Sequence, residues 1–322
     1  MSVRLAGPEV EFTTSGSTGE PQRWLRTEQQ IEAEAGLLAA LCAADGVDGV
    51  ISYAPPRHLY GHLLSLAVPR LLGVPCLQAG LTVPLTRAAA DWRRPLIAAV
   101  PAAFAVLARS LPRLAAAERI TLVHSSAVLP PAALELLAAL GERARLVELF
   151  GATETGLIAT RTGGDGDGDW TLAEDTDFAP DGPEPGPDGV RRLRITGPRL
   201  ARRPEQPAPT AAETGDLVSV VGPRTFRWHG RGGRLVKING VRVDLDLVTA
   251  RLCAAVPGVA ITCRPEPDPL RGEWYAVHAG TDDPGLLAAL REAVRLLPAA
   301  ERPRALHPHP PLDHPPLDQE VR

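Results

Sequence analysis

Residues 96–150 carry the pattern that decides the fold: Leu96-Ile97-Ala98-Ala99-Val100-Pro101, then Ile120-Thr121-Leu122-Val123, then the helix-spaced run Pro131 to Leu140 closed by Gly141, then Leu146-Val147-Glu148-Leu149-Phe150. The three apolar runs have strand length, and each is separated from the next by a segment long enough for a helix, the first opened by Pro101. Short apolar strands alternating with helices predict a parallel α/β sheet. Towards the N-terminus, Val50 to Tyr53 reads as another buried strand, broken by Pro55-Pro56 and followed by a helix over Leu63 to Leu72. Before it, Thr27 with Gln30 makes a capping box for a helix with the apolar stripe Ile31, Ala35, Leu38 and Cys42, ending at Asp45-Gly46. Val10 to Thr13 is a β-prone run leading into Ser15-Gly16-Ser17-Thr18-Gly19.

Towards the C-terminus the character changes. Thr162 to Gly189 is rich in Asp-Gly and Gly-Pro pairs and reads as loop, with a Gly-Asp run whose spacing fits no EF-hand. Arg191 to Ile195 and Leu217 to Val221 read as strands of a smaller antiparallel, barrel-like part. Beyond Arg231, a hairpin (Arg234 to Asn239, Val241 to Asp244) turns at Asn239-Gly240, followed by a helix to Ala255. Strands at Val259 to Cys263 and Trp274 to Ala279 and a helix over Leu286 to Leu297 complete a compact α+β unit. The expected organisation is a large α/β domain over residues 1–231 and a small α+β domain over 232–322. Ala300 to Arg322 reads as a flexible proline- and histidine-rich tail. His307, His309 and His314 have no helix-face spacing, so no metal site is assigned there.

Composition narrows the function. Of 322 residues, 44% are hydrophobic, enough for a sizeable core, while aromatics are only 4%. With 34 basic and 38 acidic side chains the net charge is −4, and no basic block stands out, so nucleic acid is not an expected partner. No apolar run reaches the roughly 20 residues of a bilayer crossing, and Met1 to Val10 lacks a signal-peptide pattern, so a cytoplasmic location without membrane contact is expected. Cys42, Cys76, Cys253 and Cys263 are scattered and read as buried free thiols. Lys237 is the single lysine, and any chemistry that needs an ammonium group has that one candidate.

Thr14-Ser15-Gly16-Ser17-Thr18-Gly19-Glu20-Pro21 combines hydroxyl donors with glycines that admit a ligand to the backbone, a phosphate-binding chemistry without the Walker A pattern. Leu149-Phe150-Gly151-Ala152-Thr153-Glu154-Thr155 follows a strand and offers a ring, a hydroxyl and a carboxylate. Thr214-Gly215-Asp216 sets a carboxylate before a strand. Gly230-Arg231 and Val236-Lys237-Ile238-Asn239-Gly240-Val241-Arg242-Val243 add cations. These four motifs, in this order over Thr14 to Val243, resemble those of the AMP-forming acyl-adenylate synthetases, which include acyl-CoA synthetases, aryl-acid ligases, peptide-synthetase adenylation domains and luciferases.

The resemblance implies roles residue by residue. Thr14, Ser15, Gly16, Ser17, Thr18 and Gly19 would hold the β- and γ-phosphates of ATP, and Phe150, with Gly151, would face adenine in place of the usual tyrosine. Thr153 would contact the α-phosphate, Glu154 would bind Mg²⁺, and Asp216 with Arg231 would bind the ribose. Pro55-Pro56-Arg57-His58-Leu59-Tyr60-Gly61 is similar to a family segment whose histidine lies near the acyl tunnel, and His124-Ser125-Ser126-Ala127 to a turn bordering the acyl pocket. Lys237 would serve transfer to CoA or to the phosphopantetheine of an acyl carrier protein. The substrate expected is an acyl or aryl acid, with a lean towards the subgroup that charges carrier proteins.

The chain also departs from the family. The phosphate loop begins at Thr14, whereas the family's usually lies more than a hundred residues in. The expectation is therefore a missing N-terminal subdomain, with a partner chain or a second copy covering the exposed sheet face. Counting from Pro303-Arg304, Gln319 falls where the family has its catalytic lysine; Gln22 replaces another lysine, and Gly233 stands at the hinge position. The expected function is an ATP-dependent acid–thiol ligase. The alternative is a degenerate member that binds nucleotide as a partner subunit or catalyses only the transfer half-reaction.

Overall fold

The computed structural model describes residues 8–14, 22–85, 91–125, 129–163, 168–186, 189–231, 235–238, 241–268 and 272–308. The chain divides into two compact units, residues 1–232 with 269–272, and residues 233–268 with 273–322.

The first unit opens with strands β1 (Glu9–Thr14) and β2 (Gln22–Thr27), an antiparallel pair with Thr14 opposite Gln22. Helix α1 (Glu28–Cys42) starts at the capping box: Gln30 N–H donates to Thr27 Oγ1 at 3.1 Å, and Thr27 N–H donates to Gln30 Oε1 at 3.0 Å. Its stripe of Ile31, Ala35, Leu38 and Cys42 is buried. Next come β3 (Gly49–Ser52), α2 (Leu59–His62), a π turn (Leu63–Ala67), α3 (Val68–Leu72) and β4 (Cys76–Gln78). The sequence reading made 63–72 one helix. Pro69 has no N–H to return to Ser65 O, and the chain widens into the π turn just before it. Then β5 (Pro95–Ala99), α4 (Ala103–Arg109), α5 (Leu111–Leu114), β6 (Ile120–His124), α6 (Pro131–Leu140) and β7 (Ala144–Ala152) complete the parallel part. The antiparallel part comprises β8 (Gly156–Thr162), β9 (Trp170–Leu172), β10 (Asp177–Phe178), β11 (Arg191–Thr196), β12 (Ala212–Gly222) and β13 (Thr225–Arg231).

Among the described residues these strands form one sheet in the order β10-β11-β12-β13-β9-β8-β7-β6-β5-β3-β4. The α/β class is therefore as expected, but the antiparallel part is not a separate barrel-like body. β7 pairs parallel with β6 and antiparallel with β8, so the sheet runs on through one shared strand, and no barrel closes among the described residues. Consecutive residues of the central strands point to opposite faces. Ile51, Ile97, Leu122 and Leu146 pack with Phe104, Leu107, Leu136 and Leu140 on one face. Val50, Leu96, Val123 and Val147 pack with α1, α2 and α3 on the other. The exposed sheet face expected from the early phosphate loop is thus absent from β3, β5, β6 and β7. Among the described residues, large exposed apolar side chains near these strands are Leu134 on α6 and Leu66, Leu71, Leu81 and Val83 around β4, which is the edge strand of the described sheet.

The second unit holds the hairpin β14 (Leu235–Ile238) and β15 (Val241–Asp244), with Ile238 opposite Val241, then α7 (Leu245–Ala255). β16 (Ile261–Asp268), β17 (Gly272–Ala279) and β18 (Ala305–His307) form a second sheet in that order, and α8 (Pro284–Leu296) starts at Asp283, whose side chain accepts from Leu286 N–H. Val248, Leu252, Cys263, Tyr275, Val277 and Leu290 form its core. Residues 305–307, read from sequence as part of a flexible tail, are a strand paired parallel with β17, because Ala305, Leu306 and His307 meet Ala276, Val277 and His278 in register. The thiols are free, but only Cys42 and Cys263 are buried; Cys253 is half-buried and Cys76, on the edge strand, is exposed. No helix among the described residues is long and apolar enough to cross a membrane.

Candidate active site

β3 has β4 on one side and β5 on the other, so the connections into and out of β4 diverge at the carboxyl ends of these strands, the place where open α/β sheets bind ligands. Residues 53–61 follow β3. Gly61 is required there, because a Cβ would sit 2.1 Å from Pro55 O. The Tyr60 hydroxyl lies 3.1 Å from Ala99 O and 2.7 Å from Val123 O, capping the ends of β5 and β6. Burial holds its pKa well above the phenol's ordinary value, so it acts as a neutral donor. His58 precedes α2, donates its N–H to Pro55 O at 3.1 Å and is exposed. Partial desolvation of its ring, helped by the Arg57 charge, lowers its pKa, so the imidazole is neutral at neutral pH. His124, at the end of β6, is fully buried, its ring 5.5 Å from Phe104; Ser126 and Ala127 lie outside the described residues.

The turn Thr153-Glu154-Thr155 joins β7 to β8. Thr155 Oγ1 accepts from Ala152 N–H at 3.1 Å and lies 3.0 Å from Gly156 O. Both flanking glycines are dictated by space. A Cβ on Gly151 would meet Gly156 O at 2.2 Å, and Gly156, at φ +70°, has Glu34 Oε2 and Arg26 Nη2 within 2.7 Å of where its Cβ would be. Those two atoms belong to a buried charge network. Arg26 pairs with Glu34 at 3.0 Å, and Arg199 stands 3.6 Å from Glu34 and 2.7 Å from Asp175. Arg26 also donates to Thr153 O at 3.3 Å and to Arg199 O. Glu34 accepts Leu157 N–H at 2.7 Å, and Arg199 donates to Leu157 O at 2.7 Å. Ala201 N–H donates to Glu154 O at 2.9 Å. The turn carrying Thr153 and Glu154 is therefore gripped from α1, β2 and residues 199–201.

Beyond the turn, the Phe150 ring is half-buried against Trp170 at 5.1 Å and Phe226 at 5.5 Å. Asp216, buried on β12, accepts from Trp228 Nε1 at 3.1 Å, and its N–H donates to Thr214 Oγ1 at 3.2 Å. Gly215 before it takes φ +77°. Arg231 ends β13 and pairs through its backbone with Asp216, so the two residues expected at the ribose are cross-strand neighbours. Thr14 ends β1 and its hydroxyl accepts from Trp24 Nε1 at 3.2 Å. Ser15 to Gly19, Gly233 and Gln319 lie outside the described residues. Lys237 belongs to the second unit, opposite Arg242 in the β14–β15 hairpin.

Sequence reasoning missed Arg26, Glu34, Arg199 and Asp175, and the aromatic set Trp170, Phe226 and Trp228. Glu34 left a signal: with Gln30 it sits one residue before Ile31 and Ala35 of the apolar stripe, a charge on a buried helix face. Arg26 and Arg199 left none, since each reads as an ordinary surface arginine next to a strand or loop.

A family model described as an AMP-binding enzyme matches residues 12–180. A 4-coumarate–CoA ligase of Halorhodospira halophila is 32% identical over 308 residues, covering 92% of this chain and 71% of that protein. A probable non-canonical nonribosomal peptide synthetase, CymA, of Salinispora arenicola is 31% identical over 283 residues, 79% of this chain but 4% of that protein. Among solved structures, a malonyl-CoA ligase complex with methylmalonyl-CoA and AMP superposes with a TM-score of 0.66 at 24% identity, over 92% of this chain and 70% of that one.

Glu34→Gln removes one of two carboxylates facing two buried guanidiniums, and thermal or denaturant unfolding is expected to show a loss of about 3–5 kcal/mol. Burial alone raises the Asp175 pKa, but its hydrogen bonds and ion pair with Arg199 outweigh that and leave it lowered. The unfolded chain then binds the extra proton first, so this contribution is complete above the unperturbed aspartate range and is lost as pH falls through the folded-state value. Denaturant titrations from pH 6 down to about pH 3 should show a steeper stability loss in the parent chain than in Asp175→Asn.

Proposed function

The chain belongs to the AMP-binding enzyme family, and on that basis we propose that it activates an aryl carboxylic acid with ATP as the acyl-adenylate and passes the acyl group to the thiol of CoA. The observation that carries this reading is the clamped Thr153-Glu154-Thr155 turn at the carboxyl end of β7, beside the half-buried Phe150 ring. The donor set fits the nucleotide. Thr153 offers a hydroxyl to an α-phosphate oxygen, Glu154 a hard carboxylate oxygen to Mg²⁺, and the buried Asp216 a carboxylate to the ribose diol. Bound ATP would supply the adenylyl group, its α-phosphorus bonding to a carboxylate oxygen as the bond to pyrophosphate breaks, so that AMP becomes the leaving group for the thiol, and Mg²⁺ would offset the phosphate charge.

The protein's own part is placement. Attack by a carboxylate on phosphorus brings two anions together, so donors and cations fixed in advance lower the barrier more than mobile ones do. The Arg26–Glu34 clamp holds the Thr153 backbone from below, and Tyr60 closes the ends of β5 and β6. Residues 1–231 are assigned to nucleotide and acid binding, and residues 232–322, through Lys237, to thiol transfer. The 4-coumarate–CoA ligase relative supports an aryl acid and CoA; the peptide-synthetase relative makes a carrier-protein thiol the alternative acceptor.

A second reading is favoured by Gln319, which stands where the resemblance places a catalytic lysine: a chain that binds nucleotide, or performs transfer, without forming the adenylate. Acid-dependent pyrophosphate exchange over a panel of aryl and acyl acids separates the two. Exchange with an aryl acid supports ligation, whereas AMP binding without exchange for any acid supports the second reading. Thr153→Ala or Asp216→Asn should lower exchange on the order of 100-fold, and Gln319→Lys should raise it by a comparable factor. With a preformed aryl-adenylate, Lys237→Ala should slow thioester formation, followed by mass spectrometry, while leaving pyrophosphate exchange at the parent rate.

A further inference from the structure

We propose that the second unit carries a divalent-metal site made of Glu266, His278 and His307, suited to Zn²⁺ or a cation of similar softness. These residues sit one on each of β16, β17 and β18, which are neighbours in that order. Strand periodicity puts them on the same face. Ile261 and Cys263 on β16, and Tyr275, Val277 and Ala279 on β17, point into the core against α7 and α8. The alternate positions, including Glu266 and His278, point the other way. His278 and His307 are register partners, and their rings stack at 4.9 Å with an interplanar angle of 29°.

One ligand atom from each of the three residues lies within 4.8 Å of the others, and His307 Nε2 is 4.0 Å from Glu266 Oε1. Bonds of about 2.0–2.2 Å to a tetrahedral ion place ligand atoms about 3.3–3.6 Å apart, so side-chain shifts of about an ångström close the set. Two imidazoles and one carboxylate form a borderline N₂O donor set that selects Zn²⁺, Co²⁺ or Ni²⁺ over Mg²⁺ or Ca²⁺. The other carboxylate on this face, Asp268, is committed to Arg304 at 3.0 Å. Three protein ligands leave a further position for water or another donor. All three ligands stand on paired strands, which hold the spacing better than loops do.

The bland alternative is a simple ion pair between Glu266 and a protonated His307. Titration of the chelator-treated full chain with Co²⁺ distinguishes them. The site predicts one saturable equivalent per chain, with visible bands of four- or five-coordinate cobalt displaced by Zn²⁺, and a Zn²⁺-dependent rise in Tm. His278→Ala, His307→Gln and Glu266→Gln should each weaken binding by more than the roughly 10-fold seen on losing a supporting residue. Because His307 is exposed, its variant reports even if a change at His278 impairs folding. The double variant His309→Ala/His314→Ala should keep the site. Absence of saturable binding, binding that survives His307→Gln unchanged, or binding that follows His309 and His314 would overturn the proposal.

Discussion

Two guanidiniums and two carboxylates beneath the β7–β8 turn set the geometry of the first unit. Arg26 and Arg199 are almost wholly buried, and each would carry a severe desolvation cost alone. Glu34 and Asp175 balance them charge for charge, and further N–H groups reach backbone oxygens at Thr153, Leu157 and Arg199, while Arg26 Nε and Arg199 Nη1 make no hydrogen bond among the described residues. A set that is stable only when complete has one geometry, and it involves β2, α1, β7–β8 and residues 175 and 199 at once. Burial lowers the pKa of Arg26, yet both arginines stay charged, since nothing near them approaches the proton affinity of guanidine.

That geometry explains why the candidate catalytic turn can be short. A three-residue turn holding a hydroxyl and a carboxylate would fray if only its own backbone held it. Here the buried charges anchor it from beneath, and close packing of Gly151 against Gly156 leaves no room for an alternative path. The aromatic set extends the same order outward. Phe150 leans on Trp170 and Phe226, and Trp228, on the same strand as Phe226, reaches Asp216. Thr153 and Asp216 are thereby tied into one sheet through β7, β9, β12 and β13, although more than sixty residues separate them.

The second unit follows a different logic. Its core is a single apolar layer between α7, α8 and a three-stranded sheet. The opposite sheet face is therefore free to carry polar groups, and Glu266, His278 and His307 line up there. The chain's single lysine lies in the same unit, in the β14–β15 hairpin, between the buried Val236 and Ile238.

The parallel α/β core could be read from periodicity alone. Apolar runs at 50–53, 96–100, 120–123 and 146–150 must be buried on both faces, and the Thr27–Gln30 box announces a helix wherever it occurs. The Thr153-Glu154-Thr155 turn and the Gly215-Asp216 turn were legible for a related reason: glycines at 151 and 215 are demanded by local backbone geometry, which is written locally. Short strands such as Trp170–Leu172 and Ala305–His307 were not legible, because two or three residues hold no period and exist only through their partners. The pairing of Arg26 with Glu34 and Arg199, the sharing of β7 between parallel and antiparallel halves, and the row of Glu266, His278 and His307 were likewise decided by the tertiary structure. Each depends on which distant segments come to lie side by side, and whether a charged side chain ends up buried is set by that meeting rather than by its neighbours along the chain.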